Sequence, residues 1–203
     1  MREPGSADQW ITGLVLAAGG SKRLGQAKQL LPYGGAPLLG HVLQTARSCP
    51  FDQLLCVVGG ASAEVRRWVD LREVEVVENE AYGDGCSSSI AAALEHVDEH
   101  CDVLVLMLGD QPGVGVANVE ALLDGRGDAP LAACAYRDGR GHPLAFARSM
   151  FGELTGLHGD KGVWKLMDSH AGEVADVEIE GPIPLDVDTW DDYRRVLLAA
   201  AHV

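Results

Sequence analysis

A glycine-rich, basic segment follows an apolar run and has the residue types of a phosphate-binding loop. After the apolar residues 11–16 the chain reads Ala17-Ala18-Gly19-Gly20-Ser21-Lys22-Arg23-Leu24-Gly25-Gln26-Ala27-Lys28. Glycines let backbone N–H groups converge on an anion, and Lys and Arg side chains neutralise its charge. No Asp or Glu lies between Asp8 and Asp52, although the whole chain has a formal net charge of -14. This contrast favours a phosphate site over the alternative, a mobile turn with solvated lysines.

The segment matches neither common nucleotide-binding fingerprint. A Walker A loop would carry Lys at position 26, where this chain has Gln26, and the pattern G-x-G-x-x-G finds no match around Gly19. Spacing therefore indicates phosphate binding without naming a reaction.

A second polar segment, residues 79–89, follows a short apolar run. It is rich in glycine and serine, and its candidate nucleotide-binding residues are Asn79, Gly85, Ser87, Ser88 and Ser89. Small hydroxyl and backbone groups suit a base or a ribose. A helix N-cap with a turn is the alternative interpretation.

Two acidic segments are candidates for a metal site. Gly109-Asp110-Gln111-Pro112 ends the most hydrophobic run, and Asp186-Val187-Asp188-Thr189 lies near the end of the chain. A hard cation that bridges phosphates takes oxygen ligands, so Asp110 and Asp188 could hold one together. A strand-to-helix turn and a cap on the last helix are the alternatives, with Thr189 as the N-cap.

Arg140-Gly141-His142-Pro143 is typical of a loop that presents a polar side chain. A lone histidine is more often structural than functional, so this segment alone leaves the role of His142 open.

The elements that must position these segments alternate between strand-like and helix-like stretches. Strands are predicted over residues 11–17, 53–58, 74–77, 102–108, 131–136, 144–147 and 174–179. Helices are predicted over residues 38–47, 63–69, 88–97, 116–123, 149–154, 161–170 and 190–201. This βαβ pattern predicts a three-layer α/β domain with a mostly parallel central sheet. Ligands in such folds bind outside the carboxyl ends of the strands, so the polar segments should converge there.

Length and composition narrow the class of protein. The 203 residues predict one domain over residues 10–203, after a frayed or disordered stretch at residues 1–9. The charge of -14 argues against nucleic-acid and anionic-membrane partners. No signal peptide or membrane-length apolar stretch is visible, and the five cysteines share no metal-ligand spacing. We therefore expect a cytoplasmic protein with reduced thiols.

Together these motifs resemble the nucleotidyltransferases that complete the molybdenum cofactor. The signature L-A-A-G-x-S-x-R-x-G-x-x-K matches at Leu16, Ala17, Ala18, Gly19, Ser21, Arg23, Gly25 and Lys28. The family's G-D-Q-P, G-H-P and D-[IV]-D-T motifs match at residues 109–112, 141–143 and 186–189. The resemblance covers about residues 11–193 and implies a Rossmann-like nucleotidyltransferase fold.

The resemblance implies transfer of a nucleoside monophosphate from a nucleoside triphosphate to a phosphate. The L-A-A-G form is similar to the cytidylyltransferases, whereas guanylyltransferases carry L-A-G-G; the methyl of Ala18 would narrow a base pocket against a purine. The implied reaction joins CMP from CTP to the terminal phosphate of molybdopterin and releases pyrophosphate, with Mg²⁺ as cofactor. A molybdoenzyme is the implied client.

The resemblance also implies roles for single residues. Arg23, Lys28 and Asp110 are the expected catalytic residues, Asp110 and Asp188 the Mg²⁺ ligands, and Gln111, His142 and Asp160 the acceptor contacts. Nucleotide contacts are expected from Leu16, Ala17, Ala18, Gly19, Gly20, Ser21, Lys22, Arg23, Gly25, Lys28, Asn79, Gly85, Ser87, Ser88 and Ser89. Trp164 stands where the family's G-D-x-G-A-R motif has Arg, which leaves the acceptor more open than the nucleotide.

Two alternative functions stay open at this point. One is an enzyme of the same fold that uses GTP or another phosphorylated acceptor. The other is a cofactor chaperone without turnover, which would carry the finished cofactor to a partner enzyme.

Overall fold

The computed structural model of the chain describes residues 9–200. Its strands are β1 (Trp10–Ala17), β2 (Pro32–Tyr33), β3 (Ala36–Pro37), β4 (Gln53–Val58), β5 (Glu75–Glu78), β6 (Cys101–Leu108), β7 (Leu131–Tyr136), β8 (Gly139–Ala147) and β9 (Val174–Glu178). Its helices are α1 (Leu38–Arg47), α2 (Ser62–Trp68), α3 (Cys86–Leu94), α4 (Val116–Arg126), α5 (Phe151–Thr155), α6 (Gly162–Ser169) and α7 (Trp190–Ala200). The stretch expected to be frayed, residues 1–9, lies outside the described residues apart from Gln9.

Seven strands form the central sheet in the order β5-β4-β1-β6-β8-β7-β9, and β2 pairs with β3 in a small separate hairpin. Strand β8 runs antiparallel to both of its neighbours, and all the other pairs in the large sheet are parallel. The predicted α/β fold with a mostly parallel sheet is confirmed.

Helices cover both faces of the sheet because successive strand side chains point to opposite faces. On β1, Leu14 belongs to the core cluster under α3, α5 and α6, while the next residue, Val15, belongs to the cluster under α1, α2 and α4. Burial on both faces explains why β1 and β6 are almost continuously apolar. The sheet is the middle layer of three.

The carboxyl ends of β1, β4, β5 and β6 lie at one edge of the sheet because these strands are parallel. Strand β1 has β4 on one side and β6 on the other, so the strand order of the sheet reverses direction at β1. Crevices at such switch points are the usual ligand sites of open α/β sheets. The segments after β1, β5 and β6 therefore meet at this edge, as expected from the sequence.

The prediction of a loop at residues 140–143 is wrong, because these residues belong to β8. Ala133 on β7 is opposite Leu144, but the next residue, Cys134, is opposite Gly141. His142 and Pro143 therefore form a bulge between the two pairs. A bulge accommodates a proline, which has no N–H to donate, and it redirects the neighbouring side chains. The stretch is polar and contains glycine and proline, so it lacks the apolar pattern by which a strand is predicted from sequence.

Thr189 caps α7 as expected. The N–H of Asp192 donates to Oγ1 of Thr189 over 3.2 Å, and the N–H of Thr189 donates to the Asp192 carboxylate over 2.9 Å. None of the helices within residues 9–200 is long and apolar enough to cross a membrane.

Candidate active site

A cavity of about 1180 Å³ opens at the carboxyl ends of β1 and β6. Most of the predicted site residues line it: Leu16, Ala17, Ala18, Gly19, Gly20, Ser21, Lys22, Arg23, Lys28, Gly85, Ser89, Asp110, Gln111, His142, Asp160 and Asp188. Residues expected to contact the phosphates, the metal ion and the acceptor therefore share one cavity.

Four predicted nucleotide-binding residues do not line this cavity. Gly25 lines a smaller cavity of about 390 Å³ instead. Asn79 Nδ2 donates to the hydroxyls of Ser88 and Ser89 over 2.9 and 3.0 Å, and Ser87 Oγ donates to the carbonyl of Gly159 over 2.6 Å. In this structure Asn79, Ser87 and Ser88 hold the loop before α3 in shape.

Lys28 joins two carboxylates that come from different parts of the chain. Its ammonium pairs with Asp110, and its Nζ lies 2.9 Å from Oδ1 of Asp188. The guanidinium of Arg23 lies 2.7 Å from the other oxygen of Asp188. These contacts place two cations and two carboxylates of opposite charge at one point of the cavity wall.

Burial and charge compete in setting the pKa values of this group. Burial alone would lower the pKa of Lys28, but the neighbouring carboxylates of Asp110 and Asp188 raise it above its usual value. Burial would raise the pKa of Asp188, but hydrogen bonding and charge from Lys28, with a contribution from Arg23, lower it. Lys28 is therefore protonated and Asp188 ionised at neutral pH.

Asp186 differs from Asp188, although it is only two residues away. Burial, with a further contribution from the carboxylate of Asp110, raises the pKa of Asp186 to about 6. Each additional negative charge in this acidic corner is therefore costly unless a cation compensates for it.

The carboxylates of Asp110 and Asp188 fit a divalent cation. Both contact the same ammonium group, so their oxygens converge on one region, and Mg²⁺ usually takes one or two carboxylates together with phosphate oxygens and water. Within the described part of the chain, no group of three or more His, Cys, Asp or Glu side chains could hold a metal ion. A cation here would thus depend on substrate oxygens or water for the rest of its ligands.

Gln29 is a site residue that sequence reasoning missed. Its side chain is buried, and its Nε2 donates to the carbonyls of Ala17 and Gly19 over 2.6 and 3.1 Å. The hydroxyl of Ser21 accepts from the N–H of Lys28 over 3.0 Å and closes the same loop. A polar residue directly before the apolar pair Leu30-Leu31 was the available signal. These bonds fix the course of the glycine-rich segment, residues 17–28.

Gln111 carries a second buried amide at this edge. Its Nε2 donates to the carbonyl of Pro184 over 3.0 Å, while its Oε1 has no hydrogen-bond partner among residues 9–200. A buried carbonyl oxygen without a donor is costly, which is consistent with a ligand group that donates to it.

Tyr82 is a further residue that sequence reasoning missed. A Cβ at Gly59 would lie 2.8 Å from its ring, and a Cβ at Gly60 would lie 2.7 Å from its hydroxyl. The ring therefore needs these two glycines at the end of β4. It lies between the two cavities and lines both.

Asp160 connects the loop before α6 to the first residue of α3. Its Oδ1 accepts from the N–H of Cys86 over 3.1 Å, and a Cβ at Gly85 would lie 2.7 Å from the same oxygen. Gly85 also has a φ of 101°, which favours glycine. Burial, with a contribution from Asp160, raises the pKa of the Cys86 thiol to about 11. Cys86 is therefore a protonated, unreactive thiol.

His142 and Trp164 form an aromatic pair on the β8 side of the cavity. Their ring centroids are 5.6 Å apart, with an angle of 76° between the ring planes. Burial lowers the pKa of His142 to about 4, so its imidazole is neutral at physiological pH. A neutral imidazole offers one donor and one acceptor.

Comparison with known proteins identifies a matching family and several relatives. A family described as the MobA-like NTP transferase domain matches residues 13–174. The purine catabolism protein PucB of Bacillus subtilis is 28% identical over 97% of this chain and 98% of its own. The nicotine blue oxidoreductase of Paenarthrobacter nicotinovorans is 32% identical over 66% of this chain and 69% of its own.

Solved structures are similar over almost the whole chain. Rv0371c from Mycobacterium tuberculosis has a TM-score of 0.89 at 48% identity, covering 95% of this chain and 100% of that one. A structure of Rv0371c in complex with manganese has a TM-score of 0.83 at 46% identity, covering 94% and 100%.

Proposed function

The chain belongs to the MobA-like NTP transferase family, and from this membership we propose that it is an Mg²⁺-dependent cytidylyltransferase of the molybdenum cofactor. It would transfer CMP from CTP to the terminal phosphate of molybdopterin and release pyrophosphate. The observation that carries this proposal is the convergence of Lys28, Asp110 and Asp188 at the wall of the large cavity.

The phosphate-binding segment supplies positive charge and backbone donors to the triphosphate. Arg23 and Lys28 line the cavity beside Gly19 and Gly20. At a separation of ~4 Å and an effective dielectric constant of ~20, a pair of unit charges is worth about 4 kcal/mol before desolvation. Nucleotidyl transfer depends mainly on positioning and charge neutralisation, as phosphoryl transfer does. These two cations suit the stabilisation of departing pyrophosphate.

Asp110 and Asp188 would hold the divalent cation. A bound Mg²⁺ supplies Lewis-acid stabilisation of the negative charge that accumulates on phosphate oxygens. The structure of Rv0371c, which is 46% identical to this chain, is a complex with manganese. It supports the proposal that related proteins bind a divalent cation. Lys28 contacts both carboxylates, so its ammonium lies beside the proposed cation site.

The proposed transfer forms a bond between an oxygen of the acceptor phosphate and the α-phosphorus of CTP, and the bond from that phosphorus to the pyrophosphate oxygen breaks. His142, neutral and at the cavity wall, would donate a hydrogen bond to the acceptor. Asp160 and Gln111 line the same cavity and are proposed as further acceptor contacts.

Ala18 supports cytosine as the base. Ala18 lines the cavity at the end of β1, and only 6% of the residue is exposed, because it packs into the core cluster under α3. A fixed methyl at this position leaves less room for a purine than a glycine would. Base choice rests on this one position.

A single assay tests the proposal. The full-length protein is incubated with Mg²⁺, molybdopterin and either CTP or GTP, and pyrophosphate release is followed. We expect faster release with CTP and formation of the cytosine dinucleotide. Faster release with GTP would overturn the base assignment, and no release with either nucleotide would leave the chaperone as the better explanation.

Trp164 favours a second candidate, which is the same transfer to another phosphorylated acceptor. Trp164 occupies the position at which the family that the sequence resembles has Arg, so the acceptor subsite differs from the usual one. A screen of phosphorylated acceptors with CTP would identify such a substrate.

As part of the main proposal, the protein acts in the cytoplasm and passes its product to a molybdoenzyme.

A further inference from the structure

A third apolar cluster lies apart from the two core clusters of the central sheet. Its buried residues come from distant parts of the chain, and none of them lies in a strand of that sheet: Leu24, Leu31, Leu38, Val187 and Val196. Because the third cluster shares no residue with the two sheet cores, a change in its packing leaves theirs in place.

Val187 connects the two carboxylates that are proposed to hold the cation. It directly precedes Asp188 in the chain, and its N–H donates to the carbonyl of Asp110 over 3.1 Å. Its side chain is fully buried in the third cluster, whereas Asp186 and Asp188 on either side of it line the large cavity. The position of the Val187 side chain therefore determines where both neighbouring carboxylates stand relative to Asp110.

Leu24 and Leu31 connect the same cluster to the two cations of the site. Leu24 directly follows Arg23, and the N–H of Leu31 donates to the carbonyl of Lys28 over 3.2 Å. Each of the charged residues that meet at the cavity wall is thus a chain neighbour of a cluster residue or hydrogen-bonded to one.

Helix α7 closes the third cluster. Val196 is the buried residue of this helix, whereas Trp190 and Leu197 are exposed. The hydroxyl of Tyr193, which packs against the cluster, donates to the carbonyl of Pro32 over 2.5 Å. These contacts hold α7 against the segments that carry Lys28 and Asp188.

The charged groups need such a support. Asp110, Asp186 and Asp188 line one corner of the cavity, and carboxylates that share a site repel one another. Salt bridges alone hold Asp188 loosely, because its side chain is 41% exposed and that of Arg23 is 67% exposed. Apolar packing behind the carboxylates restrains them without adding charge.

We propose that the third apolar cluster is the support that positions the cation site, with Val187 as its central positioning residue. The buried isopropyl group of Val187 holds Asp188 close to Asp110, and α7 holds Val187 in place through Val196. The inference rests on the proposed function, since it concerns the same pair of carboxylates. It goes further, because it assigns a role in the site to residues that line no part of the cavity.

Binding of Mn²⁺ tests the inference without turnover. Free Mn²⁺ is measured by electron paramagnetic resonance during titration of the full-length protein, with and without CTP, and urea unfolding is followed in parallel. The proteins are the wild type, Val187→Ala, Val187→Ile and Val119→Ala. Val119 is the matched control, because it is as fully buried as Val187 but lies on α4, in a sheet core and outside the cavity.

Both alanine variants lose two methyl groups from a filled apolar site, so both should unfold at lower urea concentration than the wild type. Only Val187→Ala should bind Mn²⁺ more weakly, by about 10- to 100-fold, as is typical when the support of a metal ligand is removed. Val187→Ile should bind within about threefold of the wild type, because it retains a branched apolar side chain.

Four results would each overturn the inference. They are wild-type Mn²⁺ affinity in Val187→Ala, an equal loss of affinity in Val119→Ala, an equal loss in Val187→Ile, and no Mn²⁺ binding to the wild type with or without CTP. If circular dichroism shows that Val187→Ala does not fold, Val196→Ala decides the question. Weaker Mn²⁺ binding by this α7 variant would support the inference, and wild-type affinity would overturn it.

Turnover separates this inference from the proposed function. Absence of cytidylyl transfer, together with Mn²⁺ binding that depends on Val187, would refute the proposed reaction and support the role of the cluster. Cytidylyl transfer by the wild type, together with wild-type Mn²⁺ affinity in Val187→Ala, would refute the role of the cluster alone.

Discussion

The Nζ atom of Lys28 lies 2.9 Å from Oδ1 of Asp188, although 160 positions separate the two residues in the chain. The same ammonium pairs with Asp110, which follows β6. One side chain thus connects the glycine-rich, basic segment after β1, the end of the most hydrophobic strand and the segment before α7. Changes to any of the three should alter the electrostatics of the whole site.

Asp110→Asn should leave the protein folded and lower pyrophosphate release by about a hundredfold or more, because several kcal/mol of charge stabilisation depend on the ionised carboxylate. Steady-state pyrophosphate release and circular dichroism measure the two effects. Asp124→Asn is the control, since Asp124 is exposed on α4 and does not line the cavity. Wild-type activity in Asp110→Asn would contradict the metal-ligand assignment.

Arg23→Met should raise the KM for CTP roughly ten- to hundredfold, since a hydrogen bond between charged groups is worth about 1.5–3 kcal/mol. Stability should change little, because the Arg23 side chain is 67% exposed. Initial-rate kinetics over a range of CTP concentrations give the KM. In the control Arg194→Met, which removes an exposed cation of α7, the KM should stay at the wild-type value.

Gln29→Leu should reduce the free energy of unfolding by about 1–3 kcal/mol, because the carbonyls of Ala17 and Gly19 lose their buried donor. It should also raise the KM for CTP, since the phosphate-binding segment loses its brace. Gln29→Glu should be at least as damaging, because a carboxylate would face two carbonyl oxygens. Urea unfolding and initial rates measure these effects. The control is Gln44→Leu, because Gln44 is exposed on α1. An unchanged KM for CTP in Gln29→Leu would argue against a positioning role for Gln29.

His142 should make the protein less stable as the pH falls below about 6.5. Burial lowers the folded-state pKa to about 4, so between these two values the unfolded chain binds a proton that the folded protein does not. The contribution of His142 to the free energy of unfolding is fully present above the ordinary histidine pKa, and it declines as the pH falls towards 4. Urea unfolding of wild type and His142→Gln at pH 5 and pH 7.5 isolates the effect. The wild type should lose more stability than the variant between these two pH values, and equal losses would mean that His142 titrates normally.

Local patterns were sufficient to predict most of the fold. Runs of apolar residues gave β1, β4, β6 and β7 to within a residue or so, because strands buried on both faces need continuous hydrophobicity. Strand β8 was predicted to begin at residue 144 but begins at Gly139. Its first half contains Gly141 and Pro143, and only pairing with β7 makes that stretch extended.

The sequence by itself determined the α/β architecture, the glycine-rich, basic character of residues 17–28 and the convergence of polar segments at one edge of the sheet. These properties follow from periodicity and residue type, which act over a few neighbouring positions. The tertiary structure decided which side chains face the cavity and which support it. It turned Asn79 and Ser87 towards the loop before α3, brought Gln29 under the phosphate-binding segment and set Trp164 against His142. Such contacts join residues far apart in the chain, so they exist only once the layers have packed together.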